Sequence, residues 1–246
     1  MKTYGIIGYP LTHSYSKQYF TEKIEREAIA DAVYHSFPLK SIEEFPALLK
    51  ENPSLRGLSI TIPYKEKVLK FVTSFSAEVK EIGAANCIRI REGVLTAYNT
   101  DIIGFEKSFV KKLKPNQKKA LVLGTGGASK AVQYVLKKLG INFLVVSRNE
   151  NSREKFIQYN QITEDIIQEY NIVINTTPLG MSPDKDTCPD IPYHILTTNH
   201  YLYDLVYKPT KTLFLHKGEQ QGATIENGYE MLIIQADENW KRWNED

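Results

Sequence analysis

A lysine with a side chain suited to proton transfer, Lys65, follows a predicted strand. In the stretch LSITIP, Leu58, Ile60 and Ile62 alternate with polar residues, as in a half-buried strand. Pro63 ends the strand, and apolar residues then recur at helical spacing, which predicts Lys65 in a first helical turn. The helix dipole disfavours a cation there by about 0.3–1 kcal/mol. A solvated lysine is the simpler interpretation, but residues that break a local rule are often functional.

A carboxylate occupies a similar boundary further along the chain. Asp101 precedes the apolar run IIGF, so Thr100 or Asp101 is a candidate N-cap of a helix. An aspartate beside a lysine also stabilises the ammonium form. A cap and a partner for Lys65 are compatible roles for one side chain.

The stretch GTGGAS lies between an apolar strand and a helix, which is the context of a dinucleotide-binding turn. Gly124 permits the tight turn, and Gly126 permits close approach of a pyrophosphate to the backbone. The helix beginning near Gly127 offers free N–H groups to that anion. Ser129 stands where the usual pattern has a third glycine, so the strand and helix around the turn are needed for the prediction.

The end of the next strand, FLVVS, indicates which dinucleotide is bound. Arg148 lies 24 residues after Gly124, between Ser147 and Asn149, and the nearest acid is Glu150. An acid at the strand end favours NAD, whereas an arginine accommodates the 2′-phosphate of NADP. The sequence therefore predicts NADP, the alternative being an ordinary exposed arginine.

The elements around these residues alternate between strand and helix, which predicts an α/β fold with parallel strands. In the first hundred residues the predicted strands are YGIIG, AVYHSF and LSITI, with helices at about 16–27 and 41–50. Two short strands around the turn at Glu92 and Gly93 follow. After a polar segment at 114–118 that resembles a domain boundary, the strands NIVIN and YLYDL and the terminal helix NGYEMLIIQADENWKRW follow the glycine turn.

Composition narrows the class of protein. The 246 residues are 42% hydrophobic and 24% charged with a formal charge of +2, which argues against binding to nucleic acid or a membrane surface. The two cysteines show no metal-ligand spacing, so we expect no metal and a reducing compartment. No apolar run approaches the length of a transmembrane helix, and no leader pattern is present, which predicts a cytoplasmic protein.

Seven stretches together resemble the shikimate dehydrogenase family, in the same order and at similar separations. They are YGIIGYPLTHSYS, LSITIPYK, GAANCIRI with GVLTAYNTDIIG, GTGGAS, NTTPLGM, YDLVYKPTKTLFL and NGYEMLIIQ. The resemblance implies NADP-dependent reduction of 3-dehydroshikimate to shikimate, in aromatic amino-acid (chorismate) biosynthesis. It implies an N-terminal α/β substrate domain (1–102 and 226–246), a Rossmann-like doubly wound NADP-binding domain (103–225) and an active site in the cleft between them. The partner is a small-molecule substrate, and the protein is a monomer or homodimer.

The same resemblance assigns roles to individual residues. Lys65 and Asp101 match the catalytic pair, the ammonium polarising the substrate carbonyl and supplying a proton as hydride arrives. The positions matching substrate contacts are Ser14, Ser16, Thr61, Lys65, Asn86, Asp101, Tyr207 and Gln235. The positions matching the cofactor site are Gly124, Gly126, Gly127, Ala128, Ser147, Arg148, Asn149, Thr176 and Gly228.

Some of these positions also have a physical interpretation. Ser14 and Ser16 are two apart in an expected extended segment, so we expect both hydroxyls to point the same way and to donate to a carboxylate, although HSYS is also a common turn. Gly228 shares a helical stripe with Gln235 and is expected to leave room for a ligand beside it. Without the family, Gln235 reads as a surface residue.

Three alternatives remain at this point. A quinate/shikimate dehydrogenase of the same fold is expected to carry an acid after the second dinucleotide strand when it prefers NAD. A non-catalytic NADP-binding regulator needs neither Lys65 nor Asp101. A methylene-folate dehydrogenase has a similar fold but does not suit the Ser-x-Ser and NTTPLGM elements.

Overall fold

A computed structural model describes residues 1–11, 15–149 and 154–245. The chain divides into two compact units, each with its own sheet. Residues 1–101 and 234–246 form unit 1, and residues 102–233 form unit 2. The predicted α/β class is confirmed.

Unit 1 contains a six-stranded mixed sheet. Its strands are β1 (Lys2–Gly8), β2 (Ala32–Pro38), β3 (Leu55–Ile60), β4 (Ser74–Phe75), β5 (Cys87–Arg91) and β6 (Val94–Tyr98). They lie in the order β2-β1-β3-β5-β6-β4. The first three strands are parallel, as predicted, whereas β5 runs antiparallel to β3 and to β6. The predicted turn at Glu92 and Gly93 is therefore the turn of the β5–β6 hairpin.

The helices of unit 1 largely follow the predicted pattern. They are α1 (Tyr15–Arg26), α2 (Phe45–Glu51) after a 3-10 turn (Ile42–Glu44), a 3-10 helix (Lys67–Phe71) and α3 (Ala77–Ile82). The terminal helix, which we number α8, spans Tyr229–Asn244, and its residues from 234 onward belong to unit 1. Tyr4, Phe20, Tyr34 and Trp243 are buried and form an aromatic cluster with Trp240. That cluster packs the end of α8 against this sheet.

The predicted helix at Lys65 is wrong in its start and its type. Residues 62–66 form turns, and the 3-10 helix begins only at Lys67. Pro63 removes a backbone donor, and Ile62 and Pro63 are exposed, so this segment is a surface turn. The helix-dipole argument for Lys65 therefore does not apply.

Unit 2 contains a six-stranded sheet in which every pairing is parallel. Its strands are β7 (Lys119–Leu123), β8 (Asn142–Ser147), β9 (Phe156–Gln158), β10 (Ile172–Asn175), β11 (Tyr201–Asp204) and β12 (Thr224–Glu226). The order β12-β11-β10-β7-β8-β9 is that of the doubly wound dinucleotide-binding fold. The central strands are buried along almost their whole length, which explains their nearly continuous apolar sequences.

The helices of this part of the chain are α4 (Asp101–Phe109), α5 (Gly127–Lys138), α6 (Glu164–Glu169) and α7 (Leu213–Gln220). The polar segment 114–118 lies within unit 2. Its Gln117 is buried and donates from Nε2 to the Asn199 carbonyl oxygen at 2.8 Å. Among the described residues, no helix is both long enough and apolar enough to span a bilayer.

Gly228 provides a test of packing in unit 2. A Cβ at this buried position would overlap the Leu205 carbonyl oxygen, which is backbone and cannot rotate away. We expect Gly228→Ala to lower the free energy of unfolding by about 1–3 kcal/mol, and to lower Tm by at least about 2 °C in calorimetry. The control is Gly126→Ala, where a Cβ meets no atom within 4 Å and should leave Tm unchanged. Equal Tm values for the two variants would contradict this packing argument.

Candidate active site

The two predicted catalytic side chains form an ion pair in unit 1. Lys65 Nζ donates to Asp101 Oδ2 at 2.6 Å, and the two side chains are 17% and 7% exposed. Lys65 comes from the turn after β3, and its carbonyl oxygen accepts a hydrogen bond from the Ala85 amide at 2.8 Å. Asp101 is the first residue of α4. The turn after β3 is thus joined to the segment before β5 by a backbone hydrogen bond and to the start of α4 by an ion pair.

Asn86 is the buried amide next to this pair. Its Nδ2 donates to Asp101 Oδ1 at 2.9 Å and to Gln235 Oε1 at 3.2 Å. Its Oδ1 accepts from the Thr100 backbone amide at 2.7 Å. Both oxygens of the Asp101 carboxylate therefore have donors, one charged and one neutral.

The β5–β6 hairpin explains why these residues meet. Asn86 immediately precedes β5, and its backbone amide donates to the Tyr98 carbonyl oxygen at the end of β6. The Asn99 side chain donates to the Ala84 carbonyl oxygen at 2.9 Å, which closes the same end of the hairpin. Pairing of the two strands therefore brings Asn86 beside Thr100 and Asp101.

The other predicted substrate contacts in unit 1 differ in their burial and in their local structure. Gln235 is buried in α8 rather than on the surface. Thr61 is half-buried just after β3, and its backbone amide donates to the Ile7 carbonyl oxygen. Ser16 lies in α1, so the expected extended geometry is not found at this residue. Ser14 lies outside the described residues.

The glycine turn of unit 2 has the geometry expected for a dinucleotide-binding loop. Gly124 has φ +110°, and a Cβ there would lie 2.7 Å from Thr176 Oγ1, so glycine is needed for conformation and for packing. Gly126 is exposed and precedes the first turn of α5, which contains Gly127 and Ala128. A Cβ at Gly126 would point into open space. This opening at a helix N-terminus fits the close approach of a pyrophosphate.

Ser129, which replaces the third glycine, strengthens the same turn. It is buried, and its hydroxyl donates to the Gly124 carbonyl oxygen at 2.7 Å. Gln133 Nε2 in turn donates to Ser129 Oγ at 3.0 Å. The serine therefore holds the glycine loop against the helix.

Strand register brings three of the predicted cofactor residues together at the carboxyl ends of the unit 2 strands. Leu123 pairs with Val146 and with Asn175, so the residues that follow them emerge side by side. These residues are Gly124, Ser147 and Thr176. Arg148 and Asn149 follow Ser147 and are exposed, and the Asn149 amide donates to Ser147 Oγ at 3.1 Å. Glu150 lies outside the described residues.

A buried carboxylate that the sequence analysis did not single out organises the neighbouring strand end. Asp204 accepts hydrogen bonds from Asn175 Nδ2 at 2.9 Å, the Val206 amide at 3.0 Å and Thr212 Oγ1 at 2.5 Å. Burial raises the pKa of Asp204 to about 7, although the three donors favour the carboxylate. The sequence signal that could have identified Asp204 was an acid at the end of the apolar strand YLYD.

Asp204 fixes the loop that carries Tyr207. This tyrosine is half-buried, and burial raises the pKa of its phenol, which keeps the hydroxyl protonated as a hydrogen-bond donor. Gly228 lies below the same loop, and the Leu205 carbonyl oxygen occupies the space that a side chain would need. This contact explains why residue 228 is a glycine, and the role of Gly228 in cofactor binding stays a prediction.

Metal ligands are not clustered in the part of the chain that the structure describes. No group of three or more His, Cys, Asp or Glu side chains there is arranged to hold a metal ion.

Comparison with known proteins identifies the family. Residues 6–88 match the model of the shikimate dehydrogenase substrate-binding domain. The NADP(+) shikimate dehydrogenase of Caldicellulosiruptor bescii is 36% identical over 260 aligned positions, which cover 99% of this chain and 89% of the relative.

Solved structures agree with this match. Shikimate 5-dehydrogenase of Thermus thermophilus, in complex with NADP(H) and shikimate, has a TM-score of 0.86 at 28% identity, covering 99% of this chain and 94% of that chain. Quinate dehydrogenase of Corynebacterium glutamicum, in complex with NAD, has a TM-score of 0.87 at 26% identity, covering 99% and 93%. On the strength of the full-length relative and the matched domain, the chain belongs to the shikimate dehydrogenase family.

Proposed function

We propose that this protein is an NADP-dependent shikimate dehydrogenase that reversibly reduces 3-dehydroshikimate to shikimate in aromatic amino-acid biosynthesis. The observation that carries the proposal is the Lys65–Asp101 ion pair with the amides of Asn86 and Gln235 around it. A reduction of a carbonyl needs a group that stabilises an alkoxide and delivers a proton, and this arrangement supplies one.

Lys65 is the proposed acid. Its ammonium polarises the substrate carbonyl, stabilises the developing alkoxide and transfers a proton to it, which leaves the lysine neutral until it is reprotonated. In the oxidative direction the neutral amine takes the proton of the substrate hydroxyl. Asp101 holds the ammonium in place through the 2.6 Å contact and stabilises its charge.

The substrate is proposed to bind through neutral hydrogen-bonding groups. Thr61, Asn86 and Gln235 are the proposed contacts to ring hydroxyls. The proposed carboxylate contacts are Ser14, Ser16 and Tyr207, whose hydroxyls supply donors without a fixed positive charge.

Bound NADPH would supply a hydride for the reduction and bound NADP⁺ would accept one in the reverse direction, and unit 2 has features suited to holding this dinucleotide. The open face at Gly126 and the N-terminus of α5 suit the pyrophosphate. Arg148 suits the 2′-phosphate because a guanidinium binds phosphate with charge-assisted hydrogen bonds. Ser147, Asn149 and Thr176 complete the proposed site.

The proposed domains are a substrate domain of 1–102 with 226–246 and an NADP-binding domain of 103–225. The compact units differ from these boundaries mainly in α8, of which residues 229–233 cluster with unit 2. We further propose a cytoplasmic enzyme, monomeric or homodimeric. Its two cysteines are unpaired, which fits a reducing compartment.

A quinate/shikimate dehydrogenase is the second candidate, favoured by the likeness to the quinate enzyme. The sequence Ser-Arg-Asn at 147–149 favours NADP over the NAD that such an enzyme would prefer. A non-catalytic regulator would not need the Lys65–Asp101 pair.

The assignment is tested by kcat/KM for shikimate and quinate with NADP and with NAD. We expect shikimate with NADP to be used best, and quinate to be weaker by about 10²-fold because the pocket must accommodate an added hydroxyl. Quinate used as well as shikimate would favour the second candidate, and no turnover of either would favour the regulator.

Lys65→Met should lower kcat by about 10²–10⁴-fold because the proton donor is lost. The Kd for NADPH, measured by fluorescence titration, should hardly change. The matched control is Lys67→Met, an exposed lysine two residues later that should keep wild-type turnover. Wild-type kcat in Lys65→Met would exclude Lys65 from the mechanism.

Gly126→Ala should weaken NADPH binding by about 10-fold or more, because its Cβ enters the space where the pyrophosphate approaches. Protein atoms leave that space open, so Tm should stay at the wild-type value. Fluorescence titration of NADPH checks the affinity, and an unchanged Kd would place the pyrophosphate elsewhere.

Arg148→Ala should raise the Kd for NADP by about 10–100-fold through loss of a charge-assisted contact. The Kd for NAD should change little, so the preference for NADP over NAD should become smaller. Lys118→Ala removes one exposed positive charge from the same unit and serves as control. Equal effects of Arg148→Ala on both cofactors would refute the 2′-phosphate contact.

A further inference from the structure

Asn239 is buried in α8 one helical turn after Gln235, and neither the catalytic chemistry nor the substrate contacts proposed above use it. Its side chain is 1% exposed and contacts three polar side chains. Oδ1 accepts from Thr100 Oγ1 at 2.6 Å, whereas Nδ2 donates to Ser59 Oγ at 3.2 Å and to Gln235 Oε1 at 3.4 Å. The amide thus connects the strand end before Asp101 with the helix that carries Gln235.

The direction of the hydrogen bond between Thr100 and Asn239 determines the direction of the hydrogen bond between Thr100 and Asn86. A threonine hydroxyl has one hydrogen, and its 2.6 Å contact with Asn239 Oδ1 is shorter than its 3.2 Å contact with Asn86 Oδ1, so the hydrogen points to Asn239. Thr100 Oγ1 then presents a lone pair to Asn86 Nδ2 at 2.9 Å. This contact helps to keep the Asn86 nitrogen, rather than its oxygen, directed at Asp101 and Gln235.

A second route runs directly to Gln235. Its Oε1 lies 3.2 Å from Asn86 Nδ2, whose two hydrogens are shared among Thr100, Asp101 and Gln235, and 3.4 Å from Asn239 Nδ2. Two donors on one oxygen define which end of the Gln235 amide faces the protein network. Reversal of the Gln235 amide would bring its nitrogen against two donor groups, which is unfavourable in a buried site.

A protonated phenol donates a hydrogen bond at the far end of the network. Tyr34 OH donates to Ser59 Oγ at 3.0 Å, and burial raises the pKa of this phenol, so it stays protonated. Ser59 Oγ therefore receives hydrogens from both Tyr34 and Asn239. The serine oxygen can accept both because a hydroxyl has two lone pairs.

We infer that Asn239 is a positioning residue for substrate recognition: it orients the Gln235 amide directly and, through the Thr100 hydroxyl, adds to the contacts that already orient the Asn86 amide. The inference rests on the proposed function, in which those two amides contact the ring hydroxyls. A site with fixed donors and acceptors recognises a matching hydroxyl pattern more strongly than one whose amides turn freely. Loss of Asn239 should therefore weaken substrate use while cofactor binding is retained.

The test is a double-mutant cycle with Asn239→Leu, Gln235→Leu and the double variant, measured as kcat/KM for shikimate with NADP. Leucine keeps the approximate shape and removes the polar atoms. We expect Asn239→Leu to raise the KM for shikimate by about 10-fold and to leave the Kd for NADPH unchanged. In the Gln235→Leu background the same substitution should have a clearly smaller effect, because the route through Gln235 is already lost.

Two further variants separate positioning from folding. Asn239→Asp keeps the acceptor for Thr100 and replaces only the nitrogen that faces Ser59 and Gln235, so it should raise the KM for shikimate even if Asn239→Leu fails to fold. Asn244→Leu is the matched control on the same helix, where the side chain pairs with Tyr4 and with the Trp240 backbone. It should keep wild-type kinetic constants.

The outcomes distinguish the inference from the proposed function. Additive effects in the cycle, or an unchanged KM for shikimate in Asn239→Asp, would overturn the role of Asn239 while wild-type turnover still supports the function. Failure of the wild type to oxidise shikimate would overturn both.

Discussion

The ion pair between Lys65 and Asp101 is the interaction around which the polar residues of the proposed active site in unit 1 are arranged. Removing two charges from water is costly, and such a pair is tolerated only when its remaining hydrogen-bonding capacity is satisfied. Lys65 occupies one oxygen of the Asp101 carboxylate, and Asn86 donates to the other at 2.9 Å. Asn86 in turn is held by the end of the β5–β6 hairpin and by α8. The position of the reactive ammonium therefore follows from strand pairing as well as from its own turn.

Unit 2 buries a carboxylate by a different solution. Asp204 receives three neutral donors, from Asn175, Val206 and Thr212, and burial raises its pKa to about 7. Each donor belongs to a different segment: the end of β10, the loop after β11 and the start of α7. One acid thus fixes three backbone segments at the edge of the sheet where the nucleotide is proposed to bind. An ion pair suits a group that must exchange a proton, whereas neutral donors suit a group that only organises backbone.

The features that were predicted best from the sequence are those that depend on local periodicity and turn chemistry. The glycine turn, the start of α5 near Gly127 and the hairpin turn at Glu92 and Gly93 were all confirmed. The helix at Lys65 was wrong because the apolar spacing after Pro63 fits a 3-10 helix as well as an α-helix. Polar contacts between residues far apart in the chain could not be predicted from local sequence patterns. The contact between Thr100 and Asn239 joins residues 139 apart, and only tertiary packing shows that it exists.

The use of neutral groups has a consequence for specificity in the proposed site. The oxygen of a side-chain amide accepts hydrogen bonds and its NH2 group donates them, although the two groups have nearly the same shape. The specificity of a contact with an amide therefore depends on whether the surroundings fix its orientation. A fixed amide discriminates strongly against a substrate that lacks the matching hydroxyl, because a buried polar group is then left unpaired. It discriminates weakly against an added hydroxyl that points elsewhere. In the proposed site we therefore expect the choice between shikimate and quinate to be decided at the ring carbon that bears the carboxylate, where quinate carries the added hydroxyl. Asn86 and Gln235 are the proposed contacts to the hydroxyls that the two molecules share.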